Sequence, residues 1–125
     1  MLFRTIPGGF LYLIDQNNWN SNWKKILGFR NIQEKVENDR FVHCVICSGP
    51  LPETIPHFWT MVWQQQVSAI VMLCRLTESG ICKCARYWPA TVEENDLIEV
   101  RKAGLEVRLR DFDDQDNDFS VRKFD

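Results

Sequence analysis

The sequence predicts an α/β fold, a mixed sheet with one packed helix and a C-terminal hairpin, on three observations. Apolar residues recur at helical spacing after Thr54 and Pro56, short unbroken apolar runs lie on either side of that stretch, and apolar and charged residues alternate near the C-terminus. With 125 residues, 45% of them hydrophobic, the chain has the length of one ordinary domain and enough apolar mass for a core. Its 15 basic and 17 acidic side chains leave a net charge of −2, so no global field draws it to nucleic acid or an anionic membrane. Neither is expected as a partner.

Taken in order, the opening carries the apolar run Phe10 to Ile14, preceded by Pro7-Gly8-Gly9 and closed by Asp15. It is too short for a signal-peptide core or a membrane span. The chain is therefore expected to be cytoplasmic, where thiols stay reduced, and its odd count of five cysteines fits free thiols better than a disulfide framework. After a polar, turn-rich stretch, Trp23, Ile26 and Leu27 at helical spacing, stopped by Gly28, predict a short helix over 22–27. The remainder of 1–40 receives no element and is set apart as a divergent segment from the unit 41–125.

Phe41-Val42-His43-Cys44-Val45-Ile46-Cys47, ended by Ser48-Gly49-Pro50, reads as a buried strand leading into a loop. Thr54 is placed to cap a helix, Pro56 sits where the first turn needs no donor, and Phe58, Met61, Val62 and Gln65 follow at spacings of three and four. A helix over 55–66 follows. The apolar run 68–74 is short enough for a strand buried on both faces. Ser79-Gly80 predicts a turn, and 83–88 should extend again. At the C-terminus, 105–110 and 119–124 form the expected hairpin at an edge of the sheet, with an acidic loop over 111–118 and one face in water.

Five blocks stand in a fixed order: Gly49-Pro50-Leu51-Pro52-Glu53-Thr54, then Phe58-Trp59, then Met61-Val62-Trp63, then Ile70-Val71-Met72-Leu73, then Lys83-Cys84-Ala85-Arg86-Tyr87-Trp88-Pro89. In this order and spacing they resemble the front portion of a protein tyrosine phosphatase domain, densely over 41–89 and more weakly to the end, where Phe119-Ser120-Val121-Arg122-Lys123-Phe124 is similar to that family's YTVR-x-F strand. The resemblance implies a partial phosphatase-type fold. Most of the matching residues have structural reasons: Trp59, Trp63 and Trp88 are expected to pack in the core. Glu78 matches a glutamate that orients the family's phosphate-binding arginine, and Lys83 a lysine that meets the loop bearing the general acid. Without those partners both are expected to be vestigial, solvated charges.

The family's chemistry needs a thiolate in a loop of backbone amides, an arginine that grips phosphate, and an acid for the leaving phenol, supplied as HC-x-x-G-x-x-R and WPD. The resemblance implies that both lie downstream of the matched region, so no catalytic residue is assigned. His43-Cys44 imitates the first motif, but Cys47 stands where glycine is needed and Pro50 where arginine is needed. Trp88-Pro89 imitates the second, but Ala90 has no proton to give. Ser48 stands where the family usually has glutamine, and no segment matches the asparagine-arginine-tyrosine that shapes the phosphotyrosine pocket.

Cys44, Cys47, Cys82 and Cys84 offer four sulfurs, yet C-x-C spacing suits zinc poorly and a strand would point Cys44 and Cys47 to opposite faces. Asp111, Asp113, Asp114, Asp116 and Asp118 are spaced loosely like a calcium loop but lack its central glycine and closing glutamate. No metal and no cofactor is expected. The sequence thus predicts a truncated phosphatase-like domain, inactive on its own toward protein phosphotyrosine. The alternatives are a pseudophosphatase-type module that holds a protein partner, with phosphotyrosine itself not expected as ligand, and a half-domain that complements a second chain. Exposed sheet edges and exposed apolar surface should accompany such a truncation.

Overall fold

In the computed structural model the described residues are 2–4, 10–15, 30–36, 40–114 and 119–125, with side chains described for 46–114 and 119–125. The helix expected over 22–27 lies outside them. The first sheet is built on β4 (Arg40–Ser48), the β-branched and aromatic run singled out in the sequence. It pairs on one side with β3 (Arg30–Val36) and on the other with β2 (Phe10–Asp15), and β2 in turn pairs with β5 (Ala69–Met72), giving the order β3-β4-β2-β5. Leu11 stands opposite both Cys47 and Met72, and Leu13 stands opposite Ile70. That register puts Cys47, Ile70 and Met72 on one face, and all three are buried.

Helix α1 (Ile55–Gln64) buries Phe58, Trp59 and Met61 in the same core. It ends two residues earlier than the expected 55–66, because Gln66 turns left-handed at φ 52° and a Schellman closure forms. The Val67 amide donates to Val62 O at 3.0 Å and the Gln66 amide to Trp63 O at 3.1 Å. At the other end Thr54 does not cap α1. A 3-10 turn over Pro52–Thr54 leads into the helix, and the Thr54 hydroxyl instead accepts from the Leu51 amide at 2.9 Å. The strand expected over 68–74 is shorter and is covered on one face: Ile70 and Met72 are buried, Ala69 and Val71 only half-buried.

The second sheet has the order β1-β10-β9-β8, from β1 (Leu2–Arg4), β8 (Leu97–Val100), β9 (Leu105–Asp113) and β10 (Phe119–Phe124). The C-terminal hairpin forms as expected, but it occupies the middle of this sheet and not an edge, because β1 covers β10 and β8 covers β9. Val100, Val107 and Leu109 are buried, while Glu106 and Arg110 of β9 are exposed. Asp111 and Asp113 belong to the strand and not to a loop. Asp111 stands opposite Lys123 and accepts from its ammonium at 2.7 Å, and Asp114 pairs with Arg122 at 3.2 Å. The loop tip, 115–118, lies outside the described residues. Every strand pair among the described residues is antiparallel.

The core joins the two sheets through aromatic rings. Tyr87, fully buried, tilts against Phe58 at 4.9 Å and stands edge-on to Trp88 at 4.9 Å, while Trp59 meets Phe124 edge-on at 5.6 Å. Trp63 does not join them: the residue is 62% exposed. Trp88 is half-buried with the Arg122 guanidinium 5.7 Å from its ring centre.

Candidate functional site

Of the two positions with a family role, Glu78 ends β6 (Thr77–Glu78) and Lys83 directly follows β7 (Ile81–Cys82), the two strands of a small hairpin. Ser79 and Gly80 both have positive φ, 50° and 76°, the type I′ geometry whose twist matches the paired strands. The turn thus fixes where Glu78 points. Its Oε1 accepts from the Arg75 amide at 3.1 Å, and the side chain is half-buried. Lys83, exposed, is placed by its own amide, which donates to Leu76 O at 2.8 Å. Both charges bear on Cys74: burial first, then the Glu78 carboxylate, raise its thiol above the ordinary range, while Lys83 acts in the opposite direction. That both charges act on Cys74 was not legible from spacing, since the β6–β7 turn brings them to it.

Beyond Lys83 the chain does not extend as a strand over 83–88. Its hydrogen bonds go elsewhere: the Cys84 amide to Leu76 O at 3.4 Å, and the Ala85 amide to Pro50 O at 3.0 Å. The Trp59 indole N–H donates to Tyr87 O at 2.6 Å. Cys84 also packs against Gly49 so closely that a Cβ there would sit 2.7 Å from its Sγ. Three of the sequence blocks are therefore locked to each other. Cys47 and Cys84 are buried inside this lock, and burial above all pushes each thiol up to about 12, so both are protonated at neutral pH and poor nucleophiles.

His43-Cys44 lies in mid-strand: Cys44 is paired with Ile14 on one side and with Ile32 on the other. A backbone laddered on both sides has its amides committed to neighbouring strands and cannot curl around an anion. Pro89 is buried and Ala90 exposed. Cys47, Cys74, Cys82 and Cys84 are free thiols, and among the described residues no three His, Cys, Asp or Glu side chains gather as a metal site. Among the described residues, too, no helix is long and apolar enough to cross a membrane.

Such geometry defines a scaffold in which interlocked motif blocks hold a short, charged hairpin. The protein-tyrosine phosphatase profile matches residues 31–125, taking in nearly all of β3 together with everything that follows. The chain belongs to the protein-tyrosine phosphatase family. It is 45% identical over 65 residues to human tyrosine-protein phosphatase non-receptor type 2, covering 52% of this chain and 15% of that protein. The same protein of Mus musculus is 43% identical over an equal stretch, with the same coverage of each. Receptor-type tyrosine-protein phosphatase F of Rattus norvegicus is 47% identical over 57 residues, covering 45% of this chain and 3% of that protein. The chain thus spans a small part of the curated relatives it matches.

Proposed function

We propose that these 125 residues form the front, scaffold portion of a tyrosine phosphatase domain and do not by themselves hydrolyse protein phosphotyrosine. The observation that carries this reading is the state of the thiols. Cys47 and Cys84 are protonated packing groups, Cys74 is buried and pushed up, and Cys82 lies exposed on β7, its thiol 3.7 Å from Cys84 O. His43-Cys44 sits in a laddered strand, where a phosphate loop has no room to form. Glu78 and Lys83 are then supporting residues, the first set to orient an arginine and the second to meet an acid loop, both supplied by the other portion of such a domain. Phosphotyrosine recognition by these residues alone is not part of the reading, and a cytoplasmic setting is, in keeping with the free thiols.

The test is hydrolysis of p-nitrophenyl phosphate and of a phosphotyrosyl peptide. The 125 residues alone should show no turnover above buffer. Mixed with a second chain carrying HC-x-x-G-x-x-R and WPD, they should restore it, and Glu78→Ala should abolish the restored activity. Turnover by the chain alone, lost on replacing any one of its cysteines by serine, would sink the proposal; an undiminished Glu78→Ala pair would remove the role given to Glu78.

A further inference from the structure

Between the last turn of α1 and the two middle strands of the second sheet, β9 and β10, lies a cleft of about 630 Å³, within the size range of pockets that take ligands. Its floor is aromatic, Trp59 against Phe124. Val62 and Trp63 form one wall, Leu105 and Val107 the other. The lining includes two carboxylates, Glu106 and Asp125, and no lysine or arginine. The C-terminal end of α1, where the helix dipole is negative, lies along the same cleft, which Gln66 and Val67 also line. Among the described residues Trp63 is the most exposed of the large hydrophobic side chains, at 62%. Each carboxylate pairs with an arginine of its own sheet: Glu106 with the half-buried Arg108 at 2.8 Å, which also donates to Glu94 O, and Asp125 with the exposed Arg110 at 3.2 Å. The exposed Asp125–Arg110 pair is weak and exchanges readily with an incoming cation.

We propose that this cleft docks a segment of a partner protein that presents a lysine or arginine beside a bulky apolar side chain. The apolar group fills the floor against Trp59 and Phe124. The cation lies over the Trp63 ring, within reach of Glu106 and Asp125. The sign of the partner follows from charge: two carboxylates, an electron-rich indole face and a helix C-terminus all favour a cation and disfavour an anion. An indole exposed at the mouth of a concave apolar site is also the side chain that most often anchors protein interfaces. No residue of the cleft takes part in the turnover proposed above.

Three short fluorescein-labelled peptides, titrated by anisotropy against the full 125-residue chain, test it: one with a Leu-Lys-Phe-Arg core, one with Leu-Glu-Phe-Asp, one with Gly-Lys-Gly-Arg. The first should bind, and the others at least roughly tenfold more weakly. Trp63→Ala should weaken the first peptide by roughly tenfold or more, and Glu106→Lys by at least about threefold, while both variants keep the urea midpoint of the parent because both positions are exposed. Equal binding of the acidic peptide, binding untouched by both variants, or no binding at all would each overturn the proposal. Octylammonium matching the basic peptide in a competition assay would overturn the assignment to a protein segment. So would concentration-dependent self-association in sedimentation equilibrium that Trp63→Ala abolishes, which would make a second copy the occupant.

Discussion

Trp59 and Trp63 stand one helical turn apart and look equivalent in the sequence, yet the first is 5% exposed and the second 62%. Trp59 is fixed by the bond from its indole to Tyr87 O and by its contact with Phe124. Trp59→Phe should therefore cost about 1–3 kcal/mol, the price of an orphaned buried carbonyl, whereas Trp63→Phe should change stability by less than about 0.5 kcal/mol. Urea unfolding midpoints of the two variants check this contrast. Helical spacing tells which residues share a face, but not where along the helix its neighbours stop, so the core role of Trp59 was legible and the exposure of Trp63 was not. Tyr87, the hub of the aromatic core, was likewise hidden inside a motif block whose conformation is irregular. The thiols give a pH prediction with a definite sign. Burial raises Cys47 and Cys84 from 9.0 to about 12, so folding favours their protonated forms. The stability linked to them is intact below pH 9 and falls as pH rises through the window from 9.0 to about 12. Urea midpoints should drop across that window, and less steeply in Cys84→Ala; equal slopes would argue that the thiols do not govern the loss.

Among the elements, Gly49 against Cys84 is a tight joint. Gly49→Ala puts a methyl 2.7 Å from Cys84 Sγ and 2.8 Å from its Cβ, so it should destabilise by about 1–3 kcal/mol. Cys84→Ala in that background should restore only part of the loss, since the Cβ contact persists; full recovery in a double-mutant cycle would show that the sulfur alone is the obstacle. The β6–β7 turn makes the opposite case. Ser79 occupies a left-handed position that asparagine tolerates better, so Ser79→Asn should raise stability by on the order of 0.5 kcal/mol, read as a higher thermal midpoint. The sequence marked this turn through Ser79-Gly80 and placed β4, α1 and the hairpin partners β9 and β10, because each carries its own local period. It missed the early end of α1, whose Schellman closure uses glutamine where glycine is the usual signal. It also missed the irregular path of 83–88, which is set by distant carbonyls, Leu76 O and Pro50 O.

At the scale of the molecule, the two sheets depend on strands far apart in the chain. β2 lies between β4 and β5, and β1 closes the sheet that holds β9 and β10. No local pattern announces such pairings, and for this reason the central place of the hairpin, with β1 and β8 on its flanks, was not legible, nor was the use made of the stretch before residue 40. Removing residues 1–15 takes out β1 and β2 together, leaving β4 with one open edge and β5 with no partner strand among the described residues. The shortened chain should lose the single steep urea transition and show a broad, shallow one by tryptophan fluorescence; an unchanged slope would mean the two strands contribute little to cooperativity. The pairing of Leu2–Arg4 with Phe119, Ser120 and Val121 has one more consequence, for synthesis. Leu2–Arg4 must wait for a partner strand made roughly 115 residues later, a delay of roughly 6–23 s at about 5–20 residues per second. Through that interval the second sheet is without one of its outer strands, and a nascent chain paused shortly before Phe119 presents β9 without either β10 or β1, an open ladder that invites a chaperone or a neighbouring nascent chain.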